Sequence, residues 1–264
     1  MRIFFLSLLI SISVSAQEQA VRILHTPPKE KLNKTILDVA ETFLGRPYVP
    51  ATLEKTPEAL VINLEAFDCY TLVENVLALS LARHNPEAGL DVYREYLQLL
   101  RYRNGVIDGY PSRMHYFTDW ARQAVDNGIL INVTEQVGEV QDKPIDFMSV
   151  NRRLYPALAT DDKAWAEIVK TEKELNENAF YYVPKEKFAA VEPLIEDGDI
   201  IAFTSVIKGL DVNHEGFAIR KGGRLHLLHA SLDEKKVIIS KETLQQYLDR
   251  IKKHSGIMIF RPAR

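Results

Sequence analysis

Apolar positions along the chain change their period near residue 193, and the change separates a helical part from a stranded part. Leu32, Ile36, Val39, Ala40 and Phe43 recur every three to four residues and predict a helix over residues 31–45, closed by Gly45 and Pro47. Leu72, Val73, Val76, Leu77 and Leu81 predict another, from Cys69 to about Arg83. Between them lies the turn-rich stretch 46–51, then a short strand expected around Leu60 to Leu64. Residues 86–192 read as largely helical, with loops at Gly105-Val106, Gly109-Tyr110-Pro111 and Asp142-Lys143-Pro144. Within them, residues 161–178 make a charged helix with a wet surface.

Past Pro193 the apolar runs shorten. Residues 200–204, 215–220, 225–229, 237–240 and 257–260 read as strands, with a helix over 243–252. Helices first and strands last predict an α+β fold rather than an alternating parallel sheet. No repeat or low-complexity segment interrupts the chain.

The first sixteen residues read as a targeting segment. Met1-Arg2 gives a positive start, residues 3–12 are an apolar run too short to span a bilayer, and Val14-Ser15-Ala16 supplies small residues before a cut ahead of Gln17. The expectation is an exported protein, periplasmic or extracellular, whose residues 17–264 form a single domain. No second long apolar stretch follows, so no membrane association is expected after the segment is removed. The hydrophobic fraction, 46%, is that of an ordinary globular chain. Net charge is only -3, and no basic stripe with interleaved aromatics offers a surface to nucleic acid.

Export makes the single cysteine informative. An unpaired thiol outside the cell is an oxidation liability, so Cys69 is either a nucleophile or a buried structural thiol. With Asp68 as N-cap, Cys69 falls on the first helical turn, where the dipole and free amides stabilise a thiolate and can hold an oxyanion. Thr71 with Glu74 also fits a capping box, which sets Cys69 just outside the helix.

Two histidines follow far downstream. If Gly222-Gly223 is a two-residue hairpin loop, Lys221 pairs with Arg224, Gly216 with His229, and His214 with Ser231. His214 and His229 then share a face, roughly 5–8 Å apart. A three-residue loop would split them onto opposite faces. On one face, His214 serves as the base for the thiol and His229 orients its ring. His226 has the opposite parity and reads as structural. The spacing matches no standard zinc motif, so neither a metal nor another cofactor is expected. In the middle region Ser112-Arg113-Met114-His115-Tyr116 is the segment richest in chemistry. Arg113 can clamp a peptide carboxylate, with Ser112 and His115 bonding an amide; alternatively the segment is a solvated loop with a structural arginine.

Four stretches resemble the NlpC-type papain-like cell-wall hydrolases: Leu44-Gly45-Arg46-Pro47-Tyr48, Phe67-Asp68-Cys69, residues 197–203 from Asp197-Gly198-Asp199, and His214-Glu215-Gly216-Phe217-Ala218. Tyr70 stands where those enzymes usually have a small residue, and Glu215 where they have valine. From about residue 35 onward the chain is more closely similar to the branch described as N-acetylmuramoyl-L-alanine amidase-like. Tyr48-Val49-Pro50-Ala51-Thr52-Leu53-Glu54, Gly209-Leu210-Asp211-Val212-Asn213-His214 and Leu227-Leu228-His229-Ala230-Ser231 carry that likeness, together with residues 112–116.

The resemblance implies a papain-like α+β core, in which the nucleophile helix packs on a small antiparallel sheet. It implies catalytic Cys69, His214 and His229, with Tyr48 assisting the oxyanion or fixing the substrate carbonyl. About 145 residues separate Cys69 from His214, more than a minimal domain of this type, so residues 86–192 are expected to be a helical elaboration walling the cleft. The substrate class implied is peptidoglycan or its muropeptide fragments, cut between N-acetylmuramic acid and L-alanine. Cleavage between D-glutamate and the diamino acid is the rival, and a non-catalytic muropeptide-binding protein on the same scaffold is a third reading.

Overall fold

The computed structural model describes residues 16–263, so the expected targeting segment lies outside the described residues except for Ala16. Residues 16–24 are helical (α1), followed by α2 (Leu32–Glu41), α3 (Cys69–His84), α4 (Leu90–Arg101) and α5 (Phe117–Asp126). Then come β1 (Leu130–Asn132), the single turn α6 (Thr134–Val137), β2 (Glu139–Val140), the single turns α7 (Phe147–Val150) and α8 (Pro156–Ala159), α9 (Asp162–Asn176) and β3 (Tyr181–Pro184). After α10 (Phe188–Val191) the chain runs through β4 (Ile200–Ser205), β5 (Val212–Lys221), β6 (Arg224–Ser231), β7 (Lys236–Ile239), α11 (Leu244–Arg250) and β8 (His254–Pro262). Among the described residues no helix is long and apolar enough to cross a membrane.

The fold is α+β. One antiparallel sheet runs in the order β2-β3-β8-β4-β5-β6-β7, with β1 also pairing to β8. The strands are apolar on both sides because the sheet is covered on both faces. Ile200, Ala202, Phe217, Ile219, Leu228, Met258 and Phe260 point to the core shared with α3 and α5. The alternate positions Ile201, Phe203, Ala218, Leu225, Leu227, Ile257 and Ile259 meet Phe188 of α10 and Leu244 and Leu248 of α11. The period of two, read within single runs, thus separates two cores.

The central helix α3 is buried on nearly every side, from Thr71 to Arg83. That includes Glu74, which meets the guanidinium of Arg101 from α4 at 2.9 Å, with both side chains removed from solvent. Arg101 also donates to the carbonyl of Val61, fastening the irregular segment before α3 to the helical layer.

Three expectations need correction. Residues 60–64 form no strand; the segment is held by side chains, and the one ladder contact near it is the bridge between Tyr48 and Phe67. Residues 86–192 are not simply helical, because β1 and β3 arise there along β8, and β2 along β3. These strands are two to four residues long, too short to show a period. The charged helix α9 is not wet throughout either. Glu172 is buried and accepts hydrogen bonds from Tyr116 Oη at 2.7 Å and the Ser149 amide at 2.9 Å.

Candidate active site

The β5–β6 hairpin turns on Gly222 and Gly223, whose φ angles of +56° and +81° are both in the left-handed region that a two-residue loop demands. Lys221 pairs with Arg224, and the ladder runs back through Phe217 and Leu228. At Gly216 the two strands come close: a side chain there would meet Leu228 O at 2.6 Å and His229 Cβ at 2.8 Å. Glycine therefore lets β6 press against β5 one step from the histidines. His214 Nε2 and His229 Nδ1 lie 2.7 Å apart with the rings nearly perpendicular, at 82°. The β4–β5 register shifts between Phe203, opposite His214, and Thr204, opposite Val212, so that Asn213 is an extra residue in β5 beside His214. Tyr247 of α11 packs on both rings, 5.8 Å from His214 and 5.2 Å from His229, and Phe203 lies behind His214. His226 turns away and bonds Ser240 O.

Asp68 caps α3. Its carboxylate accepts from the Thr71 amide at 2.8 Å, and the Thr71 hydroxyl answers the Asp68 amide at 3.0 Å. Of the two caps open in the sequence, this one forms, and Glu74 is left free for Arg101. Cys69 is therefore the first residue of the helix and keeps some accessible surface. The main-chain N–H groups of Glu215 and Tyr70 point at its sulfur. Among the described residues the sulfur makes no hydrogen bond to His214; the thiol meets β5 one residue on, at Glu215. Tyr48 joins from the other side. Val49 N bonds Phe67 O and Phe67 N bonds Pro47 O, both at 3.0 Å, so the Tyr48 phenol stands beside the Asp68-Cys69 turn.

The electrostatics oppose a resting ion pair. Burial, then the carboxyls of Glu215 and Asp68, push the Cys69 thiol well above its usual range, outweighing the two amides that favour the thiolate. Burial brings His214 down to about 4 and drives His229 well below the ordinary imidazole value. Desolvation, with the charges of Cys69, Asp68 and Glu215, raises the Tyr48 phenol to about 12. Thiol, both imidazoles and phenol are therefore neutral near pH 7. Helix position alone leads one to expect a stabilised thiolate at rest; the packing around the turn reverses that.

The structure brings Tyr48, Asp68, Cys69, His214 and His229 together. It treats Ser112, Arg113 and His115 differently. Ser112 Oγ donates to Gly109 O at 2.7 Å within its own turn. Arg113 is ion-paired with Glu54 at 2.9 Å and approaches Glu58 at 3.6 Å, with the Tyr110 ring 5.0 Å away. His115 Nε2 lies 3.0 Å from Tyr110 O, and burial brings the ring down to about 3. This loop touches α3 through Tyr70, whose hydroxyl donates to Met114 O at 2.9 Å. Two neighbours of the site escape a reading of the sequence. Tyr247 carries no signal beyond its place in α11, and Glu215 stands out only as a departure from valine.

The N-acetylmuramoyl-L-alanine amidase-like (AmiA-like) family profile matches residues 38–257. Among solved structures, the chain is similar to an N-acetylmuramoyl-L-alanine amidase from Bacteroides uniformis, at 41% identity and a TM-score of 0.84, over 88% of this chain and 99% of that one. It is also similar to a Bacteroides fragilis protein put forward as a xylanase, at 40% identity and a TM-score of 0.81, over 85% and 99% of the two chains. A Legionella pneumophila protein, 22% identical over 97% of both chains, shares the fold with a TM-score of 0.71. No curated protein matches the sequence. With the family profile spanning both the cysteine turn and the histidine hairpin, the chain belongs to the N-acetylmuramoyl-L-alanine amidase-like family.

Proposed function

We propose that the protein is an exported cysteine amidohydrolase, of papain-like NlpC type, which cleaves the amide between N-acetylmuramic acid and L-alanine in peptidoglycan fragments. The observation that carries this reading is the 2.7 Å contact between His214 Nε2 and His229 Nδ1, on strands packed against the helix that begins at Cys69. For His214 to act as base through Nδ1, its proton sits on Nε2 and is donated to His229 Nδ1. As Cys69 Sγ attacks the amide carbon, its proton passes to His214 Nδ1, and the resulting imidazolium is held by His229. The oxyanion is stabilised by the Cys69 amide at the start of α3 and by the Tyr48 hydroxyl. Collapse breaks the C–N bond, His214 returns the proton to the leaving amine, and water, deprotonated by His214, releases the acyl group.

The choice of bond rests on the family and on the description of the Bacteroides uniformis relative. Glycoside cleavage, suggested by the description of the Bacteroides fragilis protein, needs two carboxyls flanking the bond. Here Asp68 is committed to capping α3, which favours the amide.

The test is mass spectrometry of muropeptides incubated with the wild-type protein and with Cys69→Ala. Free stem peptide released by wild type alone is expected. Shortened stems would instead indicate a γ-D-glutamyl-diamino acid endopeptidase, and no product a muropeptide-binding protein. Activity that survives Cys69→Ala but is lost to a chelator would overturn cysteine catalysis.

A further inference from the structure

Glu215 directly follows the proposed base, and the mechanism above makes no use of its side chain. Its amide points at the Cys69 sulfur, and its side chain shares the sheet face of its β4 partner Ala202, toward the core that contains α3. The residue is 4% exposed, and Oε1 is sealed from solvent with no hydrogen-bond partner among the described residues. A buried carboxyl oxygen needs a partner, and with none from the protein that partner is an ordered water or a bound ligand.

Among the described residues no cation acts on it. The charged groups acting on Glu215 are the carboxyls of Asp68, Asp211 and Glu74. Arg101 is taken by Glu74 and Val61 O. Lys143 Nζ is taken by the carbonyls of Ser205, Ile207 and Leu210. Tyr70, whose ionisation Glu215 also influences, already donates its hydroxyl to Met114 O. Burial, reinforced by the three neighbouring carboxyls, keeps Glu215 protonated well above the usual carboxylate range, and a protonated carboxyl has an O–H to give.

We propose that Glu215 is a specificity-determining residue whose carboxyl hydrogen-bonds a carbonyl oxygen of the substrate, next to the amide that Cys69 attacks. The inference rests on the amidohydrolase reading and deepens it: the substrate class is one with a second amide carbonyl beside the scissile bond. Valine at this position would leave that carbonyl unpaired. Sites built around a buried hydrogen bond discriminate strongly against partners that cannot complete it.

The experiment compares Glu215→Gln, which keeps a donor of nearly the same shape, with Glu215→Val. Both are measured for kcat and KM on muropeptides and for thermal stability. The same changes made in Cys69→Ala are measured for muropeptide binding by calorimetry. Glu215→Val is expected to lower kcat/KM, and to weaken binding, by about ten- to a hundredfold without loss of Tm. Glu215→Gln is expected to recover most of that loss. Equal kcat/KM in Glu215→Val and wild type would overturn the inference while leaving the amidohydrolase reading intact. Glu215→Gln as impaired as Glu215→Val would also overturn it, pointing to an ionised carboxylate that seats a substrate cation. If wild type cuts no muropeptide and Cys69→Ala binds none, the amidohydrolase reading falls and this inference falls with it.

Discussion

At the residue scale, what decides the chemistry is how much water each group keeps. Cys69 occupies a helix start, which by itself favours a thiolate, yet burial and the nearby carboxyls of Glu215 and Asp68 act more strongly in the other direction. His214 is lowered to about 4 for the same reason, burial. A pair that is neutral at rest and exchanges its proton only during attack has a definite pH signature. In the proposed mechanism His214 accepts the proton only when unprotonated, so kcat/KM should hold steady from neutral pH down to about 5 and fall as pH drops through about 4. A steady-state pH profile on muropeptides checks this. An acid limb centred near the ordinary imidazole value would mean that solvent reaches the ring freely.

At the scale of elements, the site depends on two local devices. The Asp68–Thr71 box fixes the first turn of α3, and with it the place of the Cys69 and Tyr70 amides. The Gly222-Gly223 turn fixes the hairpin register, and Gly216 then lets the strands close upon the histidine pair. Gly216→Ala is therefore expected to be destabilising, by about 1–3 kcal/mol of overpacking. It should lower kcat more than it raises KM, because it pushes β6, and His229 with it, away from His214. Urea denaturation and steady-state kinetics would measure the two effects. Unchanged kinetics in a folded variant would show that the histidine contact tolerates a wider strand spacing.

At the scale of the whole molecule, the buried Glu74–Arg101 pair joins α3 to α4, and Arg101 reaches on to the segment before α3. Removing one partner leaves the other charge buried without compensation. Glu74→Ala should therefore cost about 3–5 kcal/mol in a urea unfolding experiment, far more than loss of a surface ion pair. A cost below 1 kcal/mol would mean that water enters to solvate Arg101.

Much of this molecule follows from local pattern. The period of the apolar residues places α2, α3 and the strands from β4 onward, because each of these elements lies against a continuous core and carries its imprint in sequence. Two glycines are enough to set a hairpin whose parity puts His214 and His229 on one side, since side chains alternate strictly along a strand. Other features follow only from packing at a distance. Strands β1 to β3 are too short for a period and exist because β8 offers an edge to β1 and β3, and β3 in turn to β2. Glu54 and Glu58 engage Arg113 from more than fifty residues away, which no spacing rule foretells. The cysteine at a helix start and the histidines on a shared face are legible in the chain, because both facts depend on neighbouring residues alone. Their protonation, and the burial of Glu215 beside Cys69, came with the assembled fold, because desolvation comes from every element that closes over the site.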